Sequence, residues 1–178
     1  GDGAFAIAGR LPDGGWEEHV TGQAGYVDAE APAPLDVAAV EGRCTAQVVD
    51  YAADWEHPQL AFGPRWKNIR RVSYGDREAL MRLELPAAFH GDLATWPMHP
   101  AVLDMATAGA VRLIPGADPR HDFYVPMSYG RVRIFAPLPA AVVSHVRLRE
   151  SEFDPREVVA FDITIADPSG RVCFEATE

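Results

Sequence analysis

The chain has 178 residues, of which 48% are hydrophobic and 24% are charged, and its formal net charge at pH 7 is -10. This size and composition are ordinary for a globular protein with one large core or two small ones. No apolar run is long enough to span a membrane, and the acidic balance disfavours nucleic acid and anionic membrane surfaces as partners.

The first predicted element is a hairpin. Residues 5–8 alternate in hydrophobicity, residues 12–15 form a turn signal, and residues 16–26 return as a second strand. Residues 27–42 are rich in proline, alanine and acid, a composition typical of a linker, which we extend to residue 45. The sequence therefore predicts three parts, which are terminal strands at 1–26, a linker at 27–45 and a larger domain at 46–178.

Most of the larger domain alternates between apolar and polar residues with period two, which predicts antiparallel strands with one buried face. The alternating segments are 79–85, 130–135, 142–149, 159–165 and 171–176. Asp167 to Gly170 is a strong turn signal between the last two segments. These two strands are therefore predicted to pair as a hairpin.

One segment, 100–114, breaks this alternation. Pro100 suits the first turn of a helix, the residues that follow are apolar on almost every side, and Pro115 with Gly116 ends the run. One buried helix among several antiparallel strands predicts an α+β domain in which a sheet wraps around that helix.

The chain has two cysteines, Cys44 and Cys173, which lack the spacing of metal ligands. They could form a disulfide or include a nucleophile. The favoured interpretation is two reduced, buried thiols in a cytoplasmic protein. The sequence predicts no metal site.

Four stretches follow one another along the chain, namely Trp16–Gly22, Phe62–Trp66, His99–Asp104, and Phe123–Pro126 followed by Arg131–Ile134. In this order they resemble the dehydratase domains of type I modular polyketide synthases. The second stretch resembles the Tyr-Gly-Pro-x-Phe motif of that family, and the third resembles its His-Pro-x-x-Leu-Asp motif at the start of a helix. The chain resembles the end of the first hotdog fold and all of the second in a double hotdog.

The resemblance implies dehydration of a β-hydroxyacyl thioester to the α,β-unsaturated thioester in polyketide biosynthesis. Asp104 would be the general acid, because a β-hydroxyl leaves poorly unless it is protonated. The substrate-binding residues that the resemblance implies are Phe62, Gly63, Pro64, His99, Pro100, Ala108 and Pro126. It implies no metal or nicotinamide cofactor, since the substrate is carried on the phosphopantetheine of an acyl carrier protein. The implied partners are that carrier protein, the other synthase domains and a second copy in a homodimer.

The environment of Asp104 can be interpreted in two ways. Leu103, Met105 and Trp96 could form an apolar wall that favours the neutral acid, whereas a helix N-terminus favours the carboxylate. Outside the motif, an acid at this position would be interpreted as a first-turn residue that stabilises the helix. The sequence does not decide which effect prevails.

The chain departs from the family pattern at three places. The general base of the family is a histidine in the pattern His-x-x-x-Gly-x-x-x-x-Pro, which none of the six histidines begins. We therefore expect the base and the start of the first hotdog to lie outside this chain, and the chain alone to be inactive. Ala108 replaces a glutamine or histidine, and Phe62 replaces a tyrosine, so neither position has a side-chain hydrogen-bond donor.

Two further functions remain open at this point. A non-catalytic pseudo-dehydratase could act as a structural domain of its synthase module, and a hotdog acyl-thioesterase would share the fold and the thioester substrate. Three arginine pairs, Arg70 with Arg71, Arg131 with Arg133 and Arg147 with Arg149, are candidates for docking the carrier protein. The alternative is that these arginines pair with nearby acids on a solvated strand face.

Overall fold

The computed structural model of the chain describes residues 3–28, 30–57, 59–108, 111–118, 121–122, 124–150 and 157–177. The chain divides into two compact units, Gly1–Ala31 and Pro32–Glu178. The boundary between them falls within the segment predicted to be a linker.

The first unit is an antiparallel hairpin of β1 (Gly3–Arg10) and β2 (Trp16–Ala24). Its turn is closed by the Leu11 amide, which donates to the Gly15 carbonyl, and by the Gly15 amide, which donates to the Asp13 side chain. Gly14 has a φ of 89° in this turn, a conformation that favours glycine. The predicted hairpin is therefore confirmed.

The second unit is built on one seven-stranded antiparallel sheet, in the order β3-β4-β5-β7-β8-β9-β6. The strands are β3 (Gln47–Asp50), β4 (Ile69–Tyr74), β5 (Glu78–Glu84), β6 (Arg131–Ile134), β7 (Ala141–Leu148), β8 (Phe161–Ala166) and β9 (Val172–Thr177). Its helices are α1 (Val37–Arg43) and α2 (Pro100–Ala108), with 3₁₀ helices at Ala87–Ala94 and Val111–Leu113. Helix α2 packs against β5 and β7.

The main core lies between α2 and the sheet. In β5, Ala79, Met81 and Leu83 belong to this core together with Val102 and Ala106 of α2, as the period-two pattern predicts. The Ser144 hydroxyl of β7 donates to the Ala106 carbonyl at 2.7 Å in a buried position, which fastens the helix to the sheet.

The segment predicted to be a linker is helical in its second half. Asp36 caps α1, because its side chain accepts a hydrogen bond from the Ala39 amide. Val40 and Cys44 are buried in a small second core with Leu80, Val143 and Ala166 on the opposite side of the sheet from α2. The prediction of a linker up to residue 45 was wrong here, since its Pro and Ala content concealed an N-cap and a short apolar face.

Two other predictions need correction. The helix predicted over 100–114 is α2 to Ala108 followed by a 3₁₀ turn at Val111–Leu113, with residues 109 and 110 outside the described part. Strand β6 was predicted to have a buried face, but all four of its side chains are exposed. It pairs only with β9 among the described strands, at the edge of the sheet, so its alternation does not reflect burial.

The turn between β8 and β9 has the predicted location. The Asp167 side chain accepts hydrogen bonds from the amides of Ser169 and Arg171, and Gly170 has a φ of 95°. The Gly170 carbonyl also accepts a hydrogen bond from the Leu35 amide at 2.8 Å. This turn therefore holds the chain that leads into α1.

Candidate active site

Asp104 lies on α2, and its side chain is exposed, whereas Val102, Met105 and Ala106 around it are buried. The helix thus presents this carboxyl on the side that does not pack into the core. Its Oδ2 accepts a hydrogen bond of 2.7 Å from the indole Nε1 of Trp66. Of the three apolar residues considered from the sequence, Met105 is buried in the main core, Leu103 packs half-buried against it, and Trp96 is exposed.

Trp66 is held in a tight turn that begins at Gly63. The Trp66 amide donates to the Gly63 carbonyl at 3.0 Å, and its half-buried ring packs against the main core. Asn68 follows two residues later and has no exposed surface. Its side-chain amide donates to the Arg65 carbonyl and to the Ala101 carbonyl of α2, so it ties the turn to the helix that carries Asp104.

A second set of contacts joins the same turn to the start of α2. Arg65 Nε lies 2.6 Å from Asp92 Oδ2, and the Arg65 guanidinium lies 4.2 Å from the centre of the Phe89 ring. His99 is buried, with its Nε2 3.6 Å from the same Asp92 oxygen. The Arg65 guanidinium, assisted by His99, holds the pKa of the Asp92 carboxyl below its usual range. Asp92 is therefore an anionic link between the turn and the residue before Pro100.

Phe62 belongs to an aromatic group before this turn. Its ring centre lies 5.7 Å from that of Trp55 and 5.7 Å from that of His57, and Trp55 is 5.5 Å from Tyr51 in an edge-to-face arrangement. The Trp55 Nε1 is buried and has no hydrogen-bond partner among the described residues. Tyr51, Trp55 and Phe62 pack against the main core in the segment that precedes the turn.

A cavity of about 840 Å³ begins one helical turn beyond Asp104. Thr107 lines it, and its hydroxyl donates to the Asp104 carbonyl at 3.1 Å. Most of the wall is apolar or aromatic, with Val111, Ile114, Tyr124, Pro126, Met127, Tyr129, Phe161 and Ile163 among the lining residues. Asp104 itself does not line the cavity. Asp104 and Thr107 are three residues apart and share one face of α2, so the carboxyl and the cavity lie on the same side of the helix.

The substrate-binding residues implied by the resemblance fall into different environments. Gly63 and Pro64 are exposed in the Trp66 turn, Pro100 is exposed at the first position of α2, and Pro126 lines the cavity. His99 is buried against Asp92, and no hydrogen-bond partner for its Nδ1 lies among the described residues. Ala108 ends α2, but its side chain lies outside the described part, as does Phe123.

Trp66, Asn68 and Asp92 were missed by the sequence reasoning. Trp66 belongs to a motif that was recognised, but a motif does not indicate which side-chain atom faces the acid. Nothing in the sequence marks Asp92 as the partner of Arg65 and His99, because those contacts join residues that are seven to 27 positions apart.

The described cysteines are buried thiols, and the described residues form no cluster of metal ligands. Cys44 and Cys173 are free and buried, and burial raises the pKa of both thiols, so they are poorly suited to act as nucleophiles. Within the described part, no three His, Cys, Asp or Glu side chains are grouped so that they could hold a metal ion. The described helices are also too short or too polar to cross a membrane.

The arginine pairs are largely engaged with acids. Arg147 and Arg149 both contact Asp162, at 3.2 and 3.1 Å. Arg71 contacts Asp50 at 2.7 Å, and Arg70 lies 3.7 Å from Glu84. Arg133 lies 4.0 Å from Glu175. These contacts favour the interpretation of solvated strand faces over a docking surface for a carrier protein.

Comparison with known proteins identifies the family. A model of the polyketide synthase dehydratase N-terminal domain matches residues 29–178. Polyketide synthase PksM of Bacillus subtilis is 27% identical over 163 residues, which are 87% of this chain and 4% of that protein.

Solved structures agree on the fold. A dehydratase domain of a trans-AT polyketide synthase from Brevibacillus brevis has a TM-score of 0.89 at 23% identity and is matched by 99% of this chain over 63% of its own length. The dehydratase domain of RzxB from Pseudomonas fluorescens has a TM-score of 0.82 at 23% identity, over 99% of this chain and 62% of that domain. The predicted α+β hotdog fold is therefore confirmed, and the chain spans less than two thirds of these domains. Because the family model matches most of its length, the chain belongs to the polyketide synthase dehydratase family.

Proposed function

We propose that this chain supplies the general acid, Asp104, for dehydration of a β-hydroxyacyl thioester carried on an acyl carrier protein. The observation that carries the proposal is the position of Asp104, an exposed carboxyl on the side of α2 that does not pack into the core, one helical turn from Thr107 at the edge of an apolar cavity. An acid that merely stabilised the helix would not need the fixed contact with the Trp66 indole.

The proposed reaction transfers two protons and no hydride. A base removes the α-proton, the electron pair forms the double bond between the α and β carbons, and the bond from the β carbon to oxygen breaks. Asp104 gives its proton to the departing oxygen, which leaves as water, and becomes a carboxylate. The base in this scheme is a histidine of the first hotdog, since no histidine of this chain begins the expected pattern.

The cavity beside Thr107 is the proposed site of the acyl chain. Its volume of about 840 Å³ is within the range of small-molecule sites, and its aromatic and aliphatic lining suits an acyl chain. The phosphopantetheine arm would deliver the thioester towards Asp104. The proposal includes no metal and no nicotinamide, because the proposed reaction transfers protons and no hydride. The other domains of the synthase and a second copy of the chain in a homodimer are the remaining proposed partners.

A structural domain without turnover is the second candidate function. Phe62 and Ala108 favour it, because neither side chain can donate a hydrogen bond to the substrate or to Asp104. A wild-type synthase that carries this chain and converts no β-hydroxyacyl thioester would support this candidate against the first.

The test is Asp104→Asn in the intact synthase polypeptide that contains this chain. Asparagine keeps the shape of the side chain but carries no acidic proton, so we expect turnover to fall by about 10²–10⁴-fold. Mass spectrometry of the carrier-bound thioester measures the loss of water. Asp76→Asn is the control, since Asp76 is an exposed carboxyl between β4 and β5 and should leave turnover unchanged. Full activity of the Asp104→Asn protein would remove Asp104 from the mechanism.

A further inference from the structure

Trp66 meets Asp104 through the only polar atom of its side chain. The indole Nε1 lies 2.7 Å from Asp104 Oδ2, a short distance for a hydrogen bond between nitrogen and oxygen. Among the described residues, no other side chain or backbone amide donates to this carboxyl. Oδ2 is therefore occupied, and Oδ1 is the oxygen left to carry a proton towards a substrate.

The turn that carries the indole is anchored at two points. On one side, Arg65 is anchored by Asp92 at 2.6 Å and lies over the Phe89 ring. On the other side, the fully buried Asn68 bonds both the Arg65 carbonyl and the Ala101 carbonyl at the start of α2. These contacts tie the turn that carries the donor to the helix that carries its acceptor, which is the arrangement that preorganised sites require.

We infer that Trp66 is the positioning residue of the Asp104 acid, an inference that rests on the proposed function. The indole donates to Oδ2, fixes the rotation of the carboxyl and directs Oδ1 to the substrate. When the proton leaves Oδ1 for the β-oxygen, Asp104 becomes a carboxylate, and a hydrogen bond to a charged acceptor is stronger than one to a neutral acceptor. The same contact therefore favours the proton transfer, because it stabilises the form of Asp104 that the reaction creates.

The chemistry of the neighbouring side chains explains why an indole is needed. Phe62 and Ala108 carry no donor, so the side chains that the family pattern would use to orient the acid are absent at those positions. Tryptophan supplies one N–H and cannot accept a proton, so it can orient Asp104 without competing for the proton that the reaction uses.

The first experiment measures the contact in the 178-residue chain by nitrogen-15 NMR of the tryptophan indoles. Four indole resonances are expected, one from each tryptophan of the chain. The Trp66→Phe variant identifies the Trp66 resonance, because that resonance alone is lost. Asp104→Ala should move the Trp66 indole proton upfield and leave the other three in place. An unchanged Trp66 resonance would overturn the inference, whether or not the Trp66→Phe protein is active.

The second experiment measures turnover of Trp66→Phe in the intact synthase polypeptide. We expect kcat to fall by about tenfold or more with KM unchanged, because the lost bond acts on the acid and not on substrate binding. Trp55→Phe is the matched control, since it also removes an indole packed on the main core, but one whose Nε1 has no hydrogen-bond partner among the described residues. Its kcat should stay close to that of the wild type.

The outcomes separate this inference from the proposed function. If Asp104→Asn loses turnover and Trp66→Phe does not, or if Trp66→Phe changes only KM, the inference about Trp66 is wrong and the acid remains. An equal loss in Trp55→Phe and Trp66→Phe would also overturn it, since general loosening of the core would explain both. If Asp104→Asn keeps turnover, the proposed function fails and the inference fails with it.

Discussion

At the scale of single residues, a buried histidine on the far side of the sheet makes a second polar cluster. His145 of β7 has its Nε2 2.7 Å from Glu78 Oε2 of β5, and Arg43 of α1 contacts both oxygens of Glu78 at 2.7 and 3.0 Å. Burial lowers the pKa of His145 below its ordinary value of 6.5, with the hydrogen bond to Glu78 opposing. The Arg43 guanidinium holds the pKa of Glu78 below its usual 4.5.

These two shifts predict a loss of stability in acid. Because the pKa of His145 is lowered on folding, the unfolded chain binds its proton more readily, so the free energy of unfolding should fall as the pH drops below about 6.5. Glu78 contributes stability above pH 4.5 that is lost only at lower pH. Urea unfolding at about pH 7 and about pH 5 measures this loss. Between these two pH values the free energy of unfolding should decrease less for His145→Gln than for the wild type, because glutamine does not titrate.

His121→Gln is the control for that measurement, because His121 is an exposed histidine and its loss should leave the wild-type pH dependence. Equal decreases in His145→Gln and the wild type would show that His145 is not the group responsible.

The site shows which residue roles a sequence can reveal. Asp104 was assigned from three local signals, which are the motif that contains it, the proline at the helix start and the apolar run that follows. Trp66 was not assigned, because its role depends on a side-chain orientation that Arg65, Asp92 and Asn68 impose from distant positions. His145 lies on a strand that the alternation predicted, but its contact with Glu78 depends on the β5-β7 register, which no local pattern encodes.

At the scale of elements, the β8-β9 turn makes a contact that only glycine allows. Gly170 has a φ of 95°, and a β-carbon at this position would collide with the backbone carbonyl of Leu35, which precedes α1. The turn and the start of the helix are thus packed backbone against backbone.

Gly170→Ala should therefore destabilise the second unit by more than about 2 kcal/mol, since it adds a collision with rigid backbone to an unfavourable φ. Gly116→Ala is the matched control, because Gly116 also has a positive φ, 78°, but open space around it. Its cost should be about 1 kcal/mol. Thermal unfolding of both variants measures the difference, and equal costs would show that the Leu35 contact is not important for stability.

The elements that were predicted well are those that pack on the main core. Strands β5, β7, β8 and β9 all place residues in it, although Leu80, Val143 and Ala166 also bury the other face of the first three in the second core. Helix α1 was missed because its seven residues, of which only one valine is buried, are too few to show a helical repeat of apolar residues. The proline-rich and alanine-rich composition around them therefore decided the prediction. Strand β6 alternates although none of its side chains is buried, so the same pattern gave a correct strand and an incorrect buried face.

At the scale of the whole molecule, the part of the chain that the family model matches nearly coincides with the second of its two units. The family model begins at residue 29, close to the boundary between Ala31 and Pro32, so it matches the second unit and not the hairpin. The acid, the Trp66 turn and the cavity all belong to the second unit. Because none of the six histidines begins the pattern expected of the base, we predict that the base is contributed from outside this chain, and that the chain alone does not dehydrate a β-hydroxyacyl thioester.

The measurement that tests the central claim most directly compares two leaving groups in the intact synthase polypeptide. A β-hydroxyl must be protonated to leave, whereas chloride leaves without a proton, so a β-chloroacyl thioester needs the base but not Asp104. We expect Asp104→Asn to lose elimination of water by about 10²–10⁴-fold and to keep elimination of chloride at close to the wild-type rate, after subtraction of the uncatalysed rate. Equal loss with both substrates would contradict the assignment of Asp104 as the acid, and so would equal retention.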